Sequence, residues 1–300
     1  MLASRSSKSL AFPLTVLACV AAPIAERVAA QVPRVPVARS SFARPVERLV
    51  VSGAQALQPF VDSAIADYRR RAHATTFVMA PSDTATGIEQ TARGEAQIGM
   101  LARRFDDADR RRHPQLVVTR VAEDGIAVVV HASNPIRALT RTQLADVLSG
   151  RVRAWADLGG GNGLVATIAT DPRHGAFDAV LEPLELAHDA DGARANVRIV
   201  DGERALLAAV MTDPLAIGFA SSSVVQTILM RGGAVRIVPV DGVTPTAATV
   251  EGGTYPFRRS LSVVRRPDAP RSVTAFVEFL ASEEGRRLLR AADLVPAAPR

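Results

Sequence analysis

The segment DGIAVVVHASNPIRALTRTQLADVLSGRVRAWADLGG (Asp124–Gly160) decides the fold of this chain. Ile126 to Val130 is an unbroken apolar run of strand length, the pattern of a strand buried on both faces. Asn134-Pro135 then marks a turn. Thr140 and Gln143 have the spacing of a capping box, and Leu144, Val147 and Leu148 supply the apolar stripe of a short helix. Gly150 stands where that helix needs a left-handed residue to close. Trp155, the only tryptophan, follows in a loop that ends in Gly159-Gly160-Gly161.

Outward from this segment the chain alternates strand and helix. Leu49 to Val51 is a strand, and Leu57, Phe60, Val61, Ala64, Ile65 and Tyr68 form one helical face. Thr75–Met79 reads as a strand, Thr86–Arg93 as a helix and Gln97–Leu101 as a strand, with Gly94 at the turn. Beyond Gly160, Val165–Thr170 is a strand, Phe177–Ala187 and Glu203–Met211 are helices, and Ile217–Ala220 is a strand. Ser222–Met230, Val235–Val240 and Leu261–Val264 continue the alternation, and two helices, Ser272–Leu280 and Glu283–Ala291, close it. The pattern predicts α/β architecture with parallel crossovers.

The 300 residues suit one large domain or two lobes, and with 48% apolar residues they can bury a full core. Residues 1–30 read as an export signal. Arg5 and Lys8 form a basic start, Leu10–Val20 is an apolar run too short to span a bilayer, and Val28-Ala29-Ala30 is a small-residue cleavage site. Val16-Leu17-Ala18-Cys19 also resembles a lipidation box, which leaves open a lipid anchor on Cys19. Residues 31–46 carry three prolines, Pro33, Pro36 and Pro45, and no periodicity, and read as an extended tether.

Several function classes lack support. Arg69-Arg70-Arg71 and Arg110-Arg111-Arg112 are the only basic runs, and without interleaved aromatics they suit solvated helix ends better than nucleic acid. His73, His113, His131, His174 and His188 show no metal-ligand spacing, and the single cysteine offers no partner for zinc. Gly159-Gly160-Gly161-Asn162-Gly163 lacks the Gly-Lys-Ser/Thr ending of a phosphate loop, and no Gly-x-Ser-x-Gly elbow occurs. The chain is therefore read as a non-enzyme without cofactor or metal.

The order of strand, Asn-Pro, "LT…QL…SG", Trp and Leu-Gly-Gly resembles the phosphate-binding periplasmic proteins of ABC importers. Gly252-Gly253-Thr254-Tyr255-Pro256-Phe257 is similar to that family's G-T-Y-P-(L/F)-x-R segment, and the likeness extends over roughly residues 48–292. The resemblance implies the type 2 periplasmic-binding-protein fold: two lobes, each a mixed sheet flanked by helices, joined by two hinge strands. On that template lobe one is 47–125 plus 255–300 and lobe two is 126–254. It implies a monomer that captures a small oxyanion, phosphate or phosphate-like, and delivers it to an importer permease. An envelope interaction or signalling protein that reuses the fold without transport is the alternative.

Strand-to-helix junctions are where such ligands bind, because helix starts offer unpaired N–H groups and a partial positive charge. The resemblance points to four segments: Gly53, Ala54, Gln55 and Ala56; Thr84, Ala85, Thr86 and Gly87; Arg103; and Thr170, Arg173, His174, Gly175 and Ala176. Each departs from the family pattern. Gln55 replaces a hydroxyl donor, Asp83 adds a negative charge beside Thr84, and Thr170 stands where the family has an arginine. A dehydrated oxyanion needs many donors, each charged hydrogen bond contributing ~1.5–3 kcal/mol, so these losses predict weaker phosphate selectivity.

Overall fold

The computed structural model describes residues 47–70, 75–171, 174–186 and 197–298. The strands are β1 (Glu47–Ala54), β2 (Thr75–Ser82), β3 (Ile98–Leu101), β4 (Val117–His131), β5 (Ala166–Thr170), β6 (Val197–Val200), β7 (Ala216–Ser221), β8 (Val235–Ile237), β9 (Arg258–Arg265) and β10 (Val295–Pro296). Between them lie α1 (Gln58–Arg69), α2 (Thr84–Arg93), α3 (Asp107–Arg112), α4 (Arg141–Leu148), α5 (Asp178–Leu181), α6 (Gly202–Thr212), α7 (Ser222–Met230), α8 (Ala247–Glu251), α9 (Arg271–Ala281) and α10 (Glu283–Ala291).

The 15-residue strand β4 organises the molecule. Its first part, Val117 to Gly125, pairs antiparallel with β9. Its second part, Ile126 to His131, pairs antiparallel with β7 and β8. The strand order is β2-β1-β3-β9-β4-β7-β5-β6, with β8 and β10 also on β4. Parallel pairs flank it on both sides, β2-β1-β3 on one and β7-β5-β6 on the other, which makes each half a mixed sheet. The second passage between the halves is the Thr254–Phe257 segment. There Ile126 N–H donates to the Phe257 carbonyl at 2.8 Å, and the buried Tyr255 hydroxyl donates to the Ile126 carbonyl at 2.8 Å.

The cores follow from side-chain alternation. Leu49, Val51, Phe60, Met100, Leu261 and Phe276 fill one side of the first half. In β4, Ile126, Val128 and Val130 face a core with Trp155, Phe177 and Phe219, while Ala127 and Val129 face Ile168, Leu206 and Val210. Burial on both faces explains why this strand has no polar alternation.

The helix around Thr140 forms as its spacing predicts: Thr140 Oγ1 accepts from Gln143 N–H and Gln143 Oε1 accepts from Thr140 N–H. Gly150 takes the left-handed conformation. Trp155 sits in a 3-10 turn, Trp155–Leu158, not an open loop, and its ring N–H donates to the Leu215 carbonyl at 2.9 Å. Two expectations run long. The helix predicted over Phe177–Ala187 is α5 plus a 3-10 turn, Glu182–Leu184: Pro183 interrupts the hydrogen-bond ladder, and Glu185 turns left-handed. The strand predicted over Val235–Val240 ends at Ile237, ahead of Pro239. The edge strand β6, with two of its four residues exposed, shows no apolar alternation and is missed by pattern alone.

Candidate functional site

Loops at the strand ends of both halves meet. Gly53, the penultimate residue of β1, has φ +115°, and a Cβ there would stand 2.3 Å from the Met100 carbonyl oxygen. A glycine is required because β3 passes too close for a side chain. At the start of α2, a Cβ on Gly87 would stand 2.7 Å from the Gly53 Cα. Thr84 is buried, and its Oγ1 accepts from Ala102 N–H at 3.0 Å. The first two segments and the Ala102–Arg103 turn therefore form one cluster at the end of the first half.

The second half reaches this cluster at two points. Gly175, at φ +74°, places its Cβ direction 2.5 Å from the Ala102 carbonyl oxygen and 3.5 Å from the Arg103 Cβ. Gly202, at the start of α6, lies opposite Gln55, whose Oε1 is 3.9 Å from a Cβ built there. His174 ties its loop to α6, its Nε2 lying 3.3 Å from Asp201. Gly53, Thr84, Gly87, Arg103, His174 and Gly175 are brought together, with Ala54, Gln55, Ala56, Ala85 and Thr86 adjoining them in the chain. Ala176 follows Gly175 and is buried in the core of the second half. Arg173 lies outside the described residues.

The side chains that bear charge are engaged. Asp83 caps α2, accepting from Thr86 N–H at 2.9 Å and from the Thr86 hydroxyl at 3.0 Å. Arg103 donates to both oxygens of Asp109, at 2.5 and 3.1 Å. Burial pushes the Asp109 carboxyl up, but the hydrogen bonds and charge of Arg103 outweigh it and hold it below the ordinary carboxylate range. Thr170 ends β5 with its side chain buried, and its hydroxyl has no hydrogen-bond partner among the described residues.

Sequence reasoning missed a cluster behind these loops. Arg259, two residues into β9, is buried, with Nε donating to Asp124 Oδ2 at 2.9 Å and Nη2 to Glu203 Oε1 at 2.7 Å. Its Nη1 donates to the His174 carbonyl at 3.1 Å. Ser221 completes the network: its hydroxyl donates to Asp124 Oδ1 at 2.8 Å and its N–H to Glu203 Oε2 at 3.0 Å. Burial pulls the Arg259 guanidinium down, but Glu203 and Asp124 together reverse this and keep it charged. The signal was in view, since Arg259 fills the last position of the G-T-Y-P-(L/F)-x-R pattern and Asp124 precedes the diagnostic strand.

Two mixed sheets joined through β4 and the Thr254–Phe257 passage, with helix starts converging between them, define a two-lobed solute-binding architecture. A family model for the PBP superfamily domain matches residues 37–284, and the chain belongs to that superfamily. Among solved structures it is similar to a phosphate ABC transporter substrate-binding protein from Clostridium perfringens carrying bound phosphate. The TM-score is 0.77 at 24% identity, over 84% of this chain and 100% of that one. It is also similar to an ABC-type phosphate transport receptor from Vibrio cholerae, with TM-score 0.69 and 21% identity over 84% of this chain and 100% of that one. Among curated relatives, the phosphate-binding protein PstS of Bacillus subtilis is 25% identical over 79% of this chain and 76% of its own length.

Proposed function

We propose that this protein captures phosphate or a similar small oxyanion between its two lobes and delivers it to an ABC importer. The observation that carries the reading is the meeting of four strand-end loops from both halves at Gly53, Thr84, Ala102–Arg103 and Gly175. The phosphate-binding relatives favour transport over a signalling protein built on the same fold. Helix starts of α2 and α6 and the Gln55 amide supply donors, and the Thr170 hydroxyl adds one more. The proposed site comprises the described residues Gly53–Ala56, Thr84–Gly87, Arg103, Thr170 and His174–Ala176, together with Arg173. Ligand binding favours the closed arrangement by touching both lobes, and the chain acts as a monomer.

In this reading the lobes divide at 125/126, where β4 changes partner from β9 to β7, and at 254/255, at the start of the Thr254–Phe257 passage. Export is directed by residues 1–30, with Cys19 as a second route to the membrane surface; these residues lie outside the described part. Mass spectrometry of the mature N-terminus separates cleavage after Ala30 from a diacylglyceryl group on Cys19. Equilibrium dialysis of the purified protein against labelled phosphate tests the binding itself. Retention below millimolar phosphate is expected; none at ~1 mM, a binding energy of only ~4 kcal/mol, removes phosphate as the ligand.

A further inference from the structure

The carboxylate of Glu203 holds a position that suits an anionic guest. Glu203 lies in the first turn of α6, on the face that Leu206, Leu207 and Val210 continue into the core. One oxygen accepts from the Arg259 guanidinium at 2.7 Å and the other from the Ser221 N–H, immediately ahead of α7, at 3.0 Å. A guanidinium paired with a helix-start N–H is the donor set by which proteins take up oxyanions. The surrounding charge does not call for a second acid, because Asp124 already pairs with Arg259 at 2.9 Å. One guanidinium faces two carboxyl groups, and burial together with the charge of Glu203 pushes the Asp124 carboxyl up, so the cluster holds more acid than base.

The cluster adjoins the proposed ligand site. Gly202, next to Glu203 in the chain, lies opposite Gln55, and Arg259 also holds the His174 carbonyl. Exposure separates the members: the side chains of Arg259 and Asp124 are 2% and 1% exposed, whereas Glu203 keeps 13% and is the one able to leave. Thr170 follows Ile168 by two residues, on the side of β5 that packs against α6, and its buried hydroxyl has no partner among the described residues. A donor without an acceptor lies on the same side of the sheet as the displaceable carboxylate.

We infer that Glu203 is an internal anion occupying the Arg259–Ser221 donor pair, which an incoming oxyanion displaces, so that Glu203 sets the affinity of the site. The inference rests on the proposed function and deepens it. Displacement costs the two hydrogen bonds that Glu203 makes and moves one carboxylate into solvent. Replacing Glu203 removes both the competitor and one negative charge.

The test is isothermal titration of inorganic phosphate into the full chain and its Glu203→Gln and Glu203→Ala variants, with folding checked by circular dichroism. Gln preserves the size and hydrogen-bonding reach of the side chain, so it carries the test if the Ala variant fails to fold. The variant is expected to bind phosphate about tenfold more tightly or better, the scale of one uncompensated charge at close range. A variant that binds while the unaltered protein does not supports the inference in its strongest form. If the unaltered protein binds and Glu203→Gln binds equally or more weakly, Glu203 is structural and the inference fails while the proposed function stands. If neither binds phosphate, the inference fails and phosphate is removed as the ligand of the proposed function.

Discussion

At the scale of single residues, the site depends on close approach. Gly53 combines a left-handed φ with a Cβ direction blocked at 2.3 Å by backbone, which cannot yield as a side chain would. Gly53→Ala is therefore expected to destabilise by about 2–4 kcal/mol in urea unfolding, more than a typical surface change. Arg103 is the residue whose role most needs its tertiary partner. The family resemblance aims it at the ligand, whereas its guanidinium here bonds both oxygens of Asp109. Arg103→Ala is expected to cost about 1–3 kcal/mol at neutral pH by stranding the buried Asp109 carboxylate. Because the folded Asp109 value is depressed, the stabilisation is full above the ordinary pKa of about 3.9 and fades as pH falls through the folded value. Urea titrations of the two proteins should therefore differ at pH 7 and converge only as pH falls below the ordinary carboxylate value of about 3.9.

At the scale of elements, helix starts carry the proposed chemistry, and what caps them decides how much charge an anion meets. Asp83 gives α2 a strong cap but adds a negative charge next to Thr84. Asp83→Ser keeps a good capping side chain, so stability should change by less than about 1 kcal/mol. Phosphate affinity should rise several-fold in the same titration, since a like charge near the guest is removed. An unchanged affinity would place Asp83 outside the field of the site. The element-level pattern was largely legible in the residues. The Thr140–Gln143 box, the apolar face of α1 and the uniform burial of the Ile126–Val130 part of β4 all follow from spacing alone. The shortened α5 was not, because helical periodicity in Phe177–Leu181 continues on paper past Pro183, where the ladder breaks.

At the scale of the whole molecule, Arg259 joins parts that lie far apart in the chain: Asp124 at the partner change of β4, Glu203 on α6 and the loop of His174. Arg259→Met removes the only positive charge in this cluster and leaves the buried Asp124 carboxyl beside the partly exposed carboxylate of Glu203. A loss of about 3–5 kcal/mol in thermal or urea unfolding is expected, as for a buried pair deprived of one partner. If the variant unfolds like the unaltered protein, the cluster contributes no net stability.

The residues by themselves determined the α/β alternation and the diagnostic strand-turn-capped-helix order, because each depends on neighbours within one helical turn or strand period, while the four segments proposed for the ligand came from the family resemblance. Only the tertiary structure decided where charges are neutralised. Asp124, Glu203 and Arg259 find one another through packing between segments 56 to 135 residues apart, and no local spacing encodes that meeting.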